Sequence, residues 1–235
     1  MSEQPARITR RKLLTGTGKV AAAAAAVSTV GWIEVGNPVS AGAASPSGEV
    51  GTASGGRNAF EYVGQVDQDG DNLVSYGYLS AIAGLDVSQL FTGDPHDETT
   101  ARFTYFGKAT LYARVEGNGL FVIDAAGSVN YYFNLYGGAS FGDPSSFKAG
   151  KQISIDTADF HDVLSVTSPD TGLPRLTAAL QRTKAAKFTL AGTTYTFGHV
   201  GLLERSTASG LSMRTDPKPK SKMYIGGDAV VTGDA

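Results

Sequence analysis

Residues 101–135, ARFTYFGKATLYARVEGNGLFVIDAAGSVNYYFNL, decide the fold of this 235-residue chain. In the first arm Ala101, Phe103, Tyr105, Gly107, Ala109, Leu111, Ala113 and Val115 share one face, and Arg102, Thr104, Lys108, Thr110 and Arg114 share the other. In the second arm Phe121, Ile123, Ala125, Gly127, Val129, Tyr131, Phe133 and Leu135 form the apolar face, opposed by Asp124, Ser128, Asn130 and Asn134. Strict alternation on both sides of Glu116-Gly117-Asn118-Gly119 predicts a long antiparallel hairpin with one buried and one wetter face.

The faces predict a register. Both apolar sets carry odd numbers, so opposed positions must sum to an even number. A two-residue Asn118-Gly119 turn pairs Gly117 with Leu120 and sets the apolar faces against each other. A three-residue loop, 117–119, pairs Glu116 with Leu120 and places Gly119 in the left-handed position of a bulged turn. Val115 then faces Phe121, Leu111 faces Ala125, and Ala109 faces Gly127.

Each arm spans ~15 residues, or ~50 Å if straight, too long for a flat ribbon in a compact domain. The ribbon is expected to coil. Gly107, Ala109 and Gly127 meet midway along the inner face, where missing side chains permit a sharp bend or leave room for a ligand.

The remaining chain repeats this texture. Strands are expected at Phe60–Val66, Leu73–Ile82, Gln152–Val166, Phe188–Leu190, Thr193–Thr207 and Met223–Thr232. A change of phase between Ile155 and Phe160 suggests a bulge, and Ala191-Gly192 suggests a tight turn. Residues 168–187, with Leu173, Leu176, Ala179 and Leu180, are the nearest candidate for a helix, which Pro174 would open. The fold class is therefore all-β: a single antiparallel, closed or nearly closed β-barrel of roughly eight strands over residues 59–235. Residues 44–58, rich in Gly, Ser and Ala, are expected to form a flexible lead-in.

Composition narrows the function classes. Beyond residue 43 the chain holds 15 basic against 20 acidic residues, a net charge of −5. A mildly acidic surface argues against nucleic acid, which needs a basic face. The one basic run, Lys218, Lys220 and Lys222, is interleaved by Pro217 and Pro219 and is expected to be a solvated loop. There are no cysteines, so disulfides, thiolate metal sites and a cysteine nucleophile are excluded. With no cysteine and three histidines, no tightly held redox cofactor is expected, and the cofactor expectation is none.

Residues 1–43 carry Thr9-Arg10-Arg11-Lys12-Leu13-Leu14, then an alanine run from Ala21 to Ala26 and a small-residue stretch ending near Ala43. A basic segment, a modestly apolar segment and an A-x-A-like exit predict an export signal. The arrangement resembles the twin-arginine (Tat) signal. That resemblance implies a bacterial or archaeal protein that folds before export, meets the Tat translocase, and is secreted or otherwise extracytoplasmic. The apolar stretch is interrupted by Gly31, Glu34 and Asn37 and falls short of the ~20 residues a span requires, so no membrane span is expected in the mature chain.

Candidate site residues follow from the inner faces. Tyr105, Gly107, Gly127, Tyr131, Tyr195, Phe197 and His199 are the candidate ligand-binding set, with Phe133 a further inner aromatic. Tyr195, Phe197 and His199 share one strand face. If that face is the inner one, His199 lies among aromatics and is the candidate acid–base residue; the alternative is a hydrogen-bonded core histidine. His96 is expected on a polar loop, and His161 is expected to point outward with Asp159 if Phe160 and Leu164 point inward. No histidine pair has metal-site spacing, so no metal is expected, although Asp67, Asp69 and Asp71 alternate in the manner of a calcium set. Glycine and glutamate do not fall where an EF-hand needs them, and the alternative is a hairpin turn. No phosphate loop of the Walker type is present.

The β-rich plan, with its early Phe60-Glu61-Tyr62-Val63-Gly64 strand, resembles the allene oxide cyclase and dirigent barrels over residues 60–232. The resemblance implies an eight-stranded barrel that steers reactive intermediates in an apolar cavity. No catalytic motif of those families matches here, so no residue role is carried over. The functional expectation is an exported barrel that binds a small apolar ligand or a surface partner. A cavity enzyme of the isomerase or cyclase kind and a calcium-stabilised surface module are the alternatives.

Overall fold

The computed structural model describes residues 47–53, 57–215 and 220–235. The expected export segment, 1–43, and the start of the expected lead-in lie outside these residues. In chain order the strands are β1 (Ser47–Val50), β2 (Asn58–Asp69), β3 (Asn72–Ile82), β4 (Phe103–Gly117), β5 (Leu120–Phe133), β6 (Lys151–Ser168), β7 (Thr171–Ala185), β8 (Lys187–Leu190), β9 (Thr193–Phe197), β10 (Leu202–Thr215) and β11 (Lys220–Asp234), with one helical turn, α1 (Val87–Leu90). Eight strands close an antiparallel barrel in the order β2-β3-β4-β5-β6-β7-β10-β11, and β11 pairs with β2. Followed round the wall from Arg114, the ladder runs through Ile123, Asp162, Leu176, Ala208, Gly227 and Tyr62 to Leu79, beside the Tyr78–Thr104 pair at the other end of β4. The strands are thus tilted and staggered, as closure requires.

The decisive hairpin forms, with β4 and β5 as its arms. Leu111 pairs with Ala125 and Ala109 with Gly127, as the faces require. The turn differs from expectation. Val115 pairs with Val122, Glu116 with Phe121 and Gly117 with Leu120. Asn118 and Gly119 form a two-residue turn with φ of 54° and 76°, the left-handed pair whose twist matches the strands. The parity conflict is resolved further up, where Tyr112 bulges out of the ladder between Leu111 and Ala113. A bulge inserts one residue and exchanges the faces beyond it. Val115 therefore points to solvent, 67% exposed, while Arg114, expected on the wet face, turns inward opposite Ile123.

Three other expectations are corrected. Within residues 168–187, Thr171–Ala185 form β7 and not a helix. Its even-numbered residues from Gly172 to Arg182 face inward, and Pro174 lies where the ladder to β10 skips Gly210 and Leu211, so its missing N–H leaves no broken bond. The expected strand Thr193–Thr207 is split between β9 and β10, because Gly198 and Gly201 take φ of 63° and 95° and carry the chain from one sheet to the other. The lead-in contributes β1, which pairs in parallel with β9 and buries Val50. Lys220 and Lys222 open β11, while Lys218 lies outside the described residues. A fourth expectation, the change of phase in β6 between Ile155 and Phe160, is also corrected: Asp156, Ala158, Phe160 and Asp162 keep one inward parity, the residue inserted beside Ile155 and Asp156 is Thr183 of β7, and the bulge of β6 itself is at Ile153.

The connections sort by length. The Gly70-Asp71, Asn118-Gly119 and Pro169-Asp170 turns, and the Thr215–Lys220 pair of β10 and β11, lie at one end, here called the hairpin rim. The long loops lie at the other end. There the sheet β1-β9-β8 sits with Phe103, Phe133 and Phe188 in mutual ring contact, while Phe197 packs against Phe60 and Tyr131. This end is packed shut. Outside the wall, Tyr76 and Phe106 are covered by Phe147, so the outer face of β3 and β4 is also partly buried. Among the described residues no helix is long and apolar enough to cross a membrane.

Candidate functional site

The barrel interior opens at the hairpin rim. A mouth of about 210 Å³ is walled by Phe121, Ile123, Leu164 and Val166, with Arg114, Arg214 and Lys220 around it. Each cation has an acid nearby: Glu116 at 3.7 Å, Asp170 at 3.6 Å and Asp69 at 2.9 Å respectively. Gln68 and Ile123 are shared with a lower chamber of about 40 Å³. That chamber shares Val66, Ser75, Phe160 and Leu176 with an upper chamber of about 60 Å³, which is closed above by Phe60 and Tyr131.

Two polar groups in these walls lack partners. Tyr105 lies flat over the paired glycines Gly64 and Gly77, where any Cβ would collide with its ring or hydroxyl. Its Oη is buried and has no hydrogen-bond partner. By contrast, Tyr62 Oη meets Ser206 Oγ at 2.7 Å in the same chamber. Asp162 lines the lower chamber, and both its carboxylate oxygens are buried without a hydrogen-bond partner of good geometry. Burial pushes its carboxyl up to about 6, partly offset by the Arg175 backbone N–H and by His161. A carboxyl poised there exchanges protons near neutral pH, and in its ionised form lacks a cation.

The packed end treats its buried acids differently. Arg182 Nε and Nη2 donate to Asp156 at 2.8 and 3.0 Å, Nη2 also donates to Glu204 at 2.8 Å, and Nη1 donates to the Phe197 carbonyl at 2.9 Å. The guanidinium carbon lies 4.6 Å from the Phe197 ring centre. Burial raises the Glu204 carboxyl to about 8 against the pull of Arg182, with Asp156 adding to the rise. At neutral pH Glu204 therefore holds a proton, and one guanidinium balances one carboxylate.

The expected site residues divide. Tyr105 and Tyr131 line the upper chamber. Gly107 and Gly127 serve the coil of the ribbon: a Cβ at Gly127 would overlap the Lys108 carbonyl and Ala109, and one at Gly107 would overlap Ser75 Oγ. Tyr195 belongs to β9 and lies near Phe188 at 5.8 Å, and Phe197 is buried against Phe60 and Tyr131. His199 is not in the interior. It sits half-exposed in the β9–β10 connection, with Nδ1 2.5 Å from Glu49 and Nε2 2.7 Å from Asp234. The Glu49 and Asp234 hydrogen bonds raise its pKa, and it clasps β1 to the end of β11. His161 faces outward and meets Asp124 at 2.7 Å. His96 is an exposed loop residue stacked on Phe91.

Asp67, Asp69 and Asp71 do not converge. Asp67 accepts from Gln65 and Tyr76, both at 2.7 Å; Asp69 pairs with Lys220; and Asp71 sits in the two-residue turn with Gly70. Among the described residues no group of three or more His, Asp or Glu side chains is placed to hold a metal.

Sequence reasoning passed over Asp162, Asp156, Arg182 and Glu204. The signal for the first two was present: they share even parity with Phe160 and Leu164, which were expected to point inward. Comparison of the chain with the profiles of known families, with curated proteins and with solved structures finds no match.

Proposed function

We propose that this chain is an exported barrel that binds a small, largely apolar molecule in its interior. One observation carries the binding reading: adjoining spaces run from the rim mouth through two apolar-walled chambers that contain the unpartnered Tyr105 hydroxyl and Asp162 carboxylate. Buried polar groups are normally paired, and unpaired ones lining a cavity are where a ligand gains orientation. The chambers are far smaller than the roughly 300 Å³ of a drug-sized pocket, so the occupant is a slim molecule of few heavy atoms. The Arg10-Arg11 segment supports export. His199, outside the barrel, lends no support to interior catalysis.

The test is a titration of the full chain with n-hexanol, followed by methyl NMR. Saturable shifts are expected at Leu79, Val129 and Ile225, which wall the upper chamber. Ala178→Leu, which fills that chamber, should weaken binding. Methyl signals that do not move, or that move linearly without saturation, would count against a binding interior.

A further inference from the structure

Among the described residues three buried carboxyl groups face the inside of this barrel, Asp156, Asp162 and Glu204, and of these Asp162 alone lacks a cation. Asp156 and Glu204 share Arg182 at the packed end. Asp162 has no such partner. Its ladder neighbours on the inner face are Ile123 and Leu176. His161, beside it in the chain, points outward to Asp124. Lys108 borders the same chamber from β4, but its side chain is exposed. Arg114 turns inward nearer the mouth and stacks 4.7 Å from the Phe121 ring centre, with Glu116 beside it.

An apolar wall around an unpaired carboxylate is a poor place for a neutral ligand to leave as it found it. A ligand that brings only hydrocarbon further dehydrates the charge, and one that brings an anion adds repulsion. A ligand that brings an ammonium group replaces the missing partner, and a charge-assisted hydrogen bond of this kind is about twice as strong as a neutral one. We infer that the interior takes a small aliphatic or single-ring amine, its ammonium group docked on Asp162 and its apolar body in the adjoining chambers. The inference rests on the ligand-binding reading above and adds the chemical class. The mouth cations do not bar entry, because each already has an acid within 4 Å.

An isosteric series tests it: n-hexylamine, n-hexanol and hexanoate, titrated at pH 7.5 into the full chain and into Asp162→Asn, with the Ile123 and Leu176 methyl signals as the readout. The amine is expected to bind roughly 10-fold or more tighter than the alcohol, and hexanoate weakest. In Asp162→Asn the amine preference should fall to within about twofold while hexanol binding persists, which also shows that the variant is folded. Equal binding of amine and alcohol, tightest binding of hexanoate, or an amine preference that survives in Asp162→Asn would overturn the assignment and leave a binding interior standing. Failure of all three compounds to bind would overturn both.

Discussion

The phenol of Tyr105 lies across Gly64, with its hydroxyl oxygen in the space a Cβ of residue 64 would occupy. The Tyr76 carbonyl closes the same space from the next strand. The ring thus covers a glycine pair, Gly64 opposite Gly77, that no other residue type allows. Aromatic cover of strand glycines is a recognised way to pin register. Here it also shapes the upper chamber.

Gly64→Ala should destabilise the barrel by about 1–3 kcal/mol through overpacking. Tyr105→Phe removes the overlapping oxygen and an unpartnered buried hydroxyl, so alone it should be neutral or stabilising by about 1 kcal/mol. Combined, the two should lose less stability than their separate effects predict. Urea unfolding of the four proteins measures the coupling, and strict additivity would contradict the contact.

Arg182 and Glu204 should respond unequally to substitution. Arg182→Met leaves Asp156 buried without its cation and should cost about 3–5 kcal/mol. Glu204 already holds a proton near neutral pH, so Glu204→Gln keeps a neutral group of similar shape and should cost less than about 1 kcal/mol at pH 7. Equal losses would mean that Glu204 is ionised.

Stability should fall as pH rises from 4 to 8. Asp162 is raised from 3.8 to about 6 and Glu204 from 4.5 to about 8. A folded-state pKa above the unfolded one contributes stability that is complete below the unfolded value and lost as pH climbs through the folded value. For Asp162 the loss is about 3 kcal/mol across its window. Asp162→Asn should therefore be more stable than the parent at pH 8 and show a flatter profile between pH 4 and 6. Thermal melts across this range decide it; a parent protein more stable at pH 8 than at pH 5 would reverse the sign.

The His199 clasp has the same sign at a higher pH. Its hydrogen bonds to Glu49 and Asp234 raise its pKa above 6.5, so the clasp is complete below that value and loosens as pH rises through the folded one. The site is half-exposed and screened by solvent, so global stability should change by less than about 1 kcal/mol in His199→Asn. The effect should be local: faster amide exchange in β1, which β9 and this clasp hold. Unchanged exchange at Glu49 and Val50 would show that the clasp carries no load.

Much of the barrel was legible in period-two alternation. The inner faces of β5 and of β4 as far as Leu111, the Leu111–Ala125 and Ala109–Gly127 pairs and the Ala191-Gly192 turn follow from the order of residues along single strands. The Tyr112 bulge did not. Asn118-Gly119 strongly favours a two-residue turn, and the conflict this creates can be absorbed at several positions above it. Which one bulges depends on neighbours from the β2–β3 turn and β5, such as the Asp71 carbonyl that accepts from the Leu111 N–H.

The candidate site was half legible. Tyr105 and Tyr131 were placed inside by alternation, and the same parity applied to Asp162. His199 was misplaced because Tyr195 and Phe197 have its parity, and parity fails where Gly198 breaks the strand. By itself the sequence determined most of the alternating strands and the all-β class, because those depend on backbone geometry within a few residues. Only the tertiary structure decided that Arg182 answers Asp156 and Glu204 while Asp162 is left unpaired. That pairing depends on which strands become neighbours and how far they stagger on closure, and no single strand encodes either.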